Sequence, residues 1–168
     1  MTFSGNFDKH VKKELNRLDS RLDWKIGDTP DGLRGKVDLI GRQNGRPRVF
    51  VEAELKKDDP AANVIKIWQW ANQQPKSARV LLIQGFSKQY WRKRERLRER
   101  SEFVGTQMAK AAGNIDYKTI KIQYKKDGKL IHFNPKTAKA FSAKAGAGRL
   151  KRAAEGFAKD IFDLTRSL

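Results

Sequence analysis

The chain of 168 residues has no cysteine, which excludes disulfides and thiolate metal sites. It has two histidines, His10 and His132, and neither has the spacing of a metal ligand, so both read as structural. No stretch approaches the ~18–20 apolar residues that a membrane span requires. The opening MTFSGNFDKHVKKEL lacks the apolar centre of a secretory signal. Gly146 and Gly148 follow no strand, so they do not form a phosphate loop. These absences point to a soluble, cytoplasmic protein without a membrane partner. Acid is also scarce: 19 Asp and Glu face 37 Lys and Arg, a net charge of +18.

What the chain does have is base, unevenly spread. From Lys125 to Arg152 there are nine lysines and arginines against one acid, Asp127. From Lys88 to Arg100 there are seven against Glu95 and Glu99. Such an excess repels itself unless a polyanion neutralises it, and nucleic acid is the natural polyanion. The acids concentrate elsewhere: Glu52, Glu54, Asp58 and Asp59 fall within eight residues. The length fits a single domain with a real core over residues 1–168. Residues 125–152 read as a basic, mobile segment and 153–168 as a closing helix.

Periodicity supplies the elements. Phe7, Val11, Leu15, Leu18 and Leu22 recur at helical spacing, predicting a helix over 6–20. Strands are predicted at 21–27, 36–41 and 48–56, the last two joined by the hairpin signal Asn44-Gly45. Asp59 and Pro60 mark the start of a second helix, with Val64, Ile67, Trp68 and Ala71 as its buried stripe. The apolar run RVLLIQG at 79–85 predicts a central strand buried on both faces. A long basic helix over 87–112, broken near Gly105, and a strand at 116–124 follow. The order is α-β-β-β-α-β-α-β-α. It predicts an α/β fold with a mixed central sheet of four to five strands flanked by helices. Trp68, Trp91 and Trp24 read as packing residues, whereas Trp70 is open between packing and base stacking.

Side chains alternate across a strand, so Glu52 and Glu54 share a face with Phe50. The hairpin brings Asp38 alongside them. Carboxylates converging on one sheet face repel, and a bound cation is the usual remedy. A set of oxygens without histidine or cysteine suits Mg²⁺ or Mn²⁺. The alternative is the wet face of an edge strand.

VDLIG followed by VFVEAELKK, in this element order, resembles the PD-(D/E)XK nuclease superfamily with its restriction-endonuclease-like fold. The resemblance covers about residues 7–124. It implies a Mg²⁺-dependent endonuclease acting on DNA, with metal ligands Asp38, Glu52 and Glu54 and an acid on the first helix, for which Glu14 is the candidate. Two registers are open. In one, Glu54 takes the position of the family's lysine and Lys66, on the following helix, supplies the ammonium. In the other, Glu54-Leu55-Lys56 is a literal E-x-K. Neighbouring carboxylates favour the charged form of either lysine, which suits an orienting and electrostatic role.

Basic residues would hold the substrate. Arg92, Arg96 and Arg100 repeat every four residues, with Lys93 and Arg94 beside them, while Lys136, Lys139, Lys144, Arg149, Lys151 and Arg152 would fold over a duplex or branched DNA. A homodimer would suit the cutting of two strands, though no interface is legible. Two other functions remain open at this point: a non-catalytic nucleic-acid binder on the same fold, and a basic partner-binding or scaffold protein.

Overall fold

Asn44 and Gly45 both adopt positive φ, 51° and 76°. That is the backbone of a type I′ turn, which suits the twist of a two-stranded hairpin. It joins β2 (Leu39–Gln43) to β3 (Arg46–Glu54), pairing Gln43 with Arg46 and Leu39 with Val51. In this computed structural model, which describes residues 3–55, 59–136, 143–166 and 168, with side chains from 146 onward in the last helix, the hairpin is the antiparallel part of a five-stranded sheet. Strand β1 (Asp23–Ile26) pairs antiparallel with β2. Strand β4 (Val80–Phe86) lies parallel between β3 and β5 (Ile115–Lys121), giving the order β1-β2-β3-β4-β5. Every residue of β4 is buried, as its unbroken apolar run predicts.

Helices cover both faces. Helix α1 (Phe3–Leu18) packs with the last helix, α4 (Ala143–Thr165). Their Phe7, Val11, Leu15, Phe157 and Ile161 join Val49, Val51, Leu81 and Ile83 in one core. On the other face α2 (Pro60–Ala71) and α3 (Glu95–Ala112) contribute Val64, Ile67, Trp70 and Met108. These pack on Ile40, Phe50 and Leu82. Even-numbered residues of β3 therefore face α2, and Glu52 and Glu54 continue that face beyond Phe50 at the strand's C-terminal end. Asp59 caps α2 by accepting from the Ala61 N–H, with Pro60 in the first turn, as predicted. Gly85 lets α4 close on the sheet: a Cβ there would lie 2.2 Å from Phe157.

Several expectations need correction. The basic helix at 87–112 is a 3₁₀ turn (Lys88–Trp91) followed by α3, which runs unbroken through Gly105. That glycine faces Tyr117, whose ring leaves no room for a Cβ. The strand at 116–124 is two strands. Beyond β5 the chain forms a separate hairpin, β6 (Gln123–Lys126) and β7 (Lys129–His132), around Asp127 and Gly128, again with positive φ. The basic stretch 125–152 is thus not one segment but part of a hairpin, a short described connection and the first turns of α4; residues 137–142 lie outside the described residues. Trp70 rather than Trp68 is the fully packed tryptophan of α2: it meets Phe50 edge-on at 5.0 Å and donates to the Asp31 carbonyl. Trp91 is half-buried, its ring between the Arg98 guanidinium at 4.0 Å and the Lys121 ammonium at 4.2 Å. Among the described residues, no helix is long and apolar enough to cross a membrane.

Candidate functional site

The bend before β2 carries Asp38, the end of β3 carries Glu52 and Glu54, and the first turns of α2 carry Asn63 and Lys66. Together with Ser4 of α1 they line a pocket of about 340 Å³. The hairpin register produces this meeting: Leu39 pairs with Val51, so Asp38 lies opposite the Glu52–Ala53 peptide. Its Oδ2 accepts from the Ala53 N–H at 2.8 Å, which fixes the carboxylate against β3.

Glu52 is buried, and Lys66 reaches it. The Lys66 Nζ lies 2.7 Å from Glu52 Oε1 and donates to the Lys36 carbonyl at 2.6 Å. The Lys66–Glu52 contact is a close ion pair made inside the pocket, with the ammonium against Glu52 Oε1. Burial and the charge of Asp38 push Glu52 well above the ordinary carboxyl range, and Lys66 opposes that shift. Burial raises Asp38 too, against the Ala53 N–H, Lys66 and a hydrogen bond with Glu52. Two neighbouring carboxyls that repel each other would both gain from a bound cation.

Glu54 has different company. Its Oε1 accepts from Asn63 and from Gln84, each at 3.0 Å. Burial pushes Glu54 up to about 7 despite these donors, with Asp38 adding to the shift. Gln84 is fully buried and completes a network: its Oε1 accepts from Ser101 at 2.7 Å and Tyr117 at 2.6 Å, and its Nε2 also donates to the Pro60 carbonyl. Glu54 is therefore tied through β4 to both α3 and β5.

Of the predicted site residues, Asp38, Glu52, Glu54 and Lys66 are brought together. Lys56 lies outside the described residues. Glu14 does not join them: Arg17 holds it at 2.6 and 3.0 Å and keeps its carboxyl below the ordinary range. The acid that α1 does bury near the site is Asp8. Its Oδ1 has no hydrogen-bond partner, and burial, with the charge of Asp38 adding, pushes it up to about 8. Its position three residues before Val11 in the apolar stripe was the only sequence signal.

The oxygen-only donor set fits a hard divalent ion in one mode. Asp38 and Glu52 offer two carboxylates, and Mg²⁺ is commonly held by one or two carboxylates together with waters and substrate phosphate. Among the described residues, no group of three or more His, Cys, Asp or Glu side chains is arranged to hold a metal. The expected three-carboxylate set is thus narrowed to the Asp38–Glu52 pair, because Glu54 spends an oxygen on Asn63 and Gln84.

The predicted substrate-holding residues are scattered. Arg92 precedes α3, so Arg92, Arg96 and Arg100 do not form a stripe on one helix. Arg92, Lys93 and Arg96 are exposed and Arg94 is half-buried. Arg100 reaches Asp59 at the rim of the pocket, 2.6 Å away. The least exposed arginine, Arg98, was missed; Glu95, Glu99 and Glu102 surround its guanidinium over Trp91. Lys136, Lys151 and Arg152 are exposed and Arg149 is half-buried. Lys139 and the Lys144 side chain lie outside the described residues. No family model, curated protein or solved structure matches the chain.

Proposed function

We propose that the chain is a metal-dependent nuclease that hydrolyses DNA phosphodiester bonds on a restriction-endonuclease-like core. The observation that carries this reading is the pair of half-buried Asp38, at the entry to β2, and buried Glu52, on β3, with the Lys66 ammonium of the following helix against Glu52. A Mg²⁺ or Mn²⁺ ion bound by this pair would polarise the scissile phosphate and lower the pKa of a bound water. Asp38 is held in place by the Ala53 N–H, so that binding an ion needs little rearrangement. Lys66, fixed by the Lys36 carbonyl, offsets negative charge gathering at the phosphorus and orients the attacking water. Glu54, with a pKa of about 7, is suited to take a proton near neutral pH. The first turn of α2 borders the pocket, and the positive end of its dipole favours a phosphate there.

The second reading is a nucleic-acid binder that does not cleave. The absence of a three-ligand metal group among the described residues favours it. Supercoiled plasmid incubated with Mg²⁺ or with EDTA separates the two. The nuclease reading expects nicking with Mg²⁺ only, lost in Glu52→Ala while DNA binding remains. Binding without nicking in either condition would support the second reading, and Glu52→Ala that nicks like wild type would remove this site from the chemistry.

A further inference from the structure

The carboxylate pocket does not stand alone on its face of the sheet. Lys66 also lines a second depression of about 350 Å³ alongside α2, with Arg34, Gln69, Trp70 and Gln73. Trp70 in turn lines a third of about 730 Å³ beneath the β2–β3 turn, where Arg46, Arg48 and Arg79 are gathered. The three share walls at Lys66 and Trp70, so they follow α2 from its first turn past its last.

The chemistry changes along this path. The first pocket holds the carboxylates, while no acid lines the other two. Arg17, Arg21, Arg42, Arg98 and Arg100 each have a carboxylate within 2.9 Å. Arg46, Arg48 and Arg79 have no ion pair with any described residue. Free arginines are expected on a chain of charge +18; their convergence in one concave site is not. Around them stand neutral hydrogen-bonding side chains, Gln43, Asn44 and Gln74. Arginine forks suit phosphate oxygens, and carboxamides suit sugars and base edges.

We propose that a nucleic-acid strand leaving the carboxylate pocket runs along α2 into this cleft, where Arg46, Arg48 and Arg79 take its phosphates. The proposal rests on the nucleic-acid part of the function proposed above, and it places the holding surface on elements other than α3 and α4. The dimensions agree. Glu52 and Arg46 are six residues apart on β3, about 20 Å at a strand's rise. Each duplex strand carries one phosphate per about 3.4 Å of helix axis, or roughly six over 20 Å of axis, and successive phosphates lie about twice that far apart along the backbone itself, so the path holds at least about three of them, as many as the cleft has arginines.

The test compares wild type with Arg46→Ala/Arg48→Ala/Arg79→Ala, and with Lys125→Ala/Lys126→Ala/Lys129→Ala, which removes equal charge from exposed positions on the β6–β7 hairpin. Fluorescence anisotropy of labelled 20-nucleotide single strands and 20-base-pair duplexes is read in EDTA at several salt concentrations, with melting curves to verify folding. Loss of three phosphate contacts should flatten the log-affinity against log-salt slope by about 2 for a single strand and about 3 for a duplex, and weaken binding at least about tenfold at 0.1 M salt. The hairpin variant should keep the wild-type slope to within about 1. Equal slopes for the two variants, or a wild-type slope in the cleft variant, overturn the proposal. So does labelled polyglutamate that binds as tightly as DNA with the same arginine dependence, since the cleft would then be a site for an acidic protein. Cleavage plays no part in this assay. A chain that binds through the cleft but never nicks plasmid refutes hydrolysis alone, and one that nicks while the cleft variant keeps its slope refutes the path alone.

Discussion

Replacing Asp8 with asparagine should stabilise the protein at alkaline pH and change little near pH 4. Asp8 is buried on α1, one of its oxygens lacks a partner, and its pKa stands at about 8 against 3.8 for an ordinary aspartate. Between those values the folded chain keeps a proton that the unfolded chain has released. Stability then falls as pH rises, beginning near pH 4 and levelling off above about 8. Below pH 4 both states are protonated and the penalty vanishes. A gap of about four pH units corresponds to roughly 5–6 kcal/mol as a ceiling. Water entering the neighbouring pocket relieves part of this, so a gain of about 2–5 kcal/mol for Asp8→Asn at pH 8.5 is expected. Urea unfolding of wild type and variant at pH 4 and pH 8.5, in EDTA, measures it; the melting temperature should rise by roughly 5–15 °C at the higher pH. Equal stability of the two proteins at pH 8.5, or a gain of the same size at both pH values, would refute the reasoning.

Other consequences follow from the same geometry. Lys66→Met removes the cation beside Glu52 and should cut plasmid nicking at least about 100-fold while changing DNA affinity less than about threefold. Gln84→Leu strands Ser101, Tyr117 and Glu54 without their shared partner and should destabilise the fold by about 2–4 kcal/mol, read by urea unfolding. Gly85→Ala drives a Cβ into Phe157 and should cost about 1–3 kcal/mol, part of which Phe157→Leu in the same chain restores.

The parts of the fold legible in the sequence are those set by local chemistry. Asn44-Gly45 demands positive φ, Asp59-Pro60 starts a helix, and an unbroken apolar run needs cover on both faces. The division between β5 and β6 was hidden because Ile122 carries the alternating pattern across it and is itself buried. Asp127-Gly128 makes the next turn, but it lies between lysines that read as part of a basic tail. Trp68 and Trp70 both border the wide apolar stripe of α2, and the choice between them depends on Phe50 and Asp31, which are distant in sequence. Glu14 and Asp8 sit three residues to either side of Val11, so periodicity treats them alike. Packing against α4 and the approach of Asp38 separate them: one end of α1 meets the site, and the other offers Glu14 to Arg17. Asp38, Glu52, Glu54 and Lys66 were legible because hairpin register and helix start place them together. Gln84, inside an apolar strand, gave no sign of the three partners that make it a hub.

The most direct measurement of the central claim is a titration of the protein with Mn²⁺ at pH 8, followed by the resonance signal of the free ion, in wild type, Asp38→Asn and Glu52→Gln. The account predicts an ion bound by wild type that both variants lose. Binding that survives in both variants, or no binding by wild type at millimolar Mn²⁺, would contradict it.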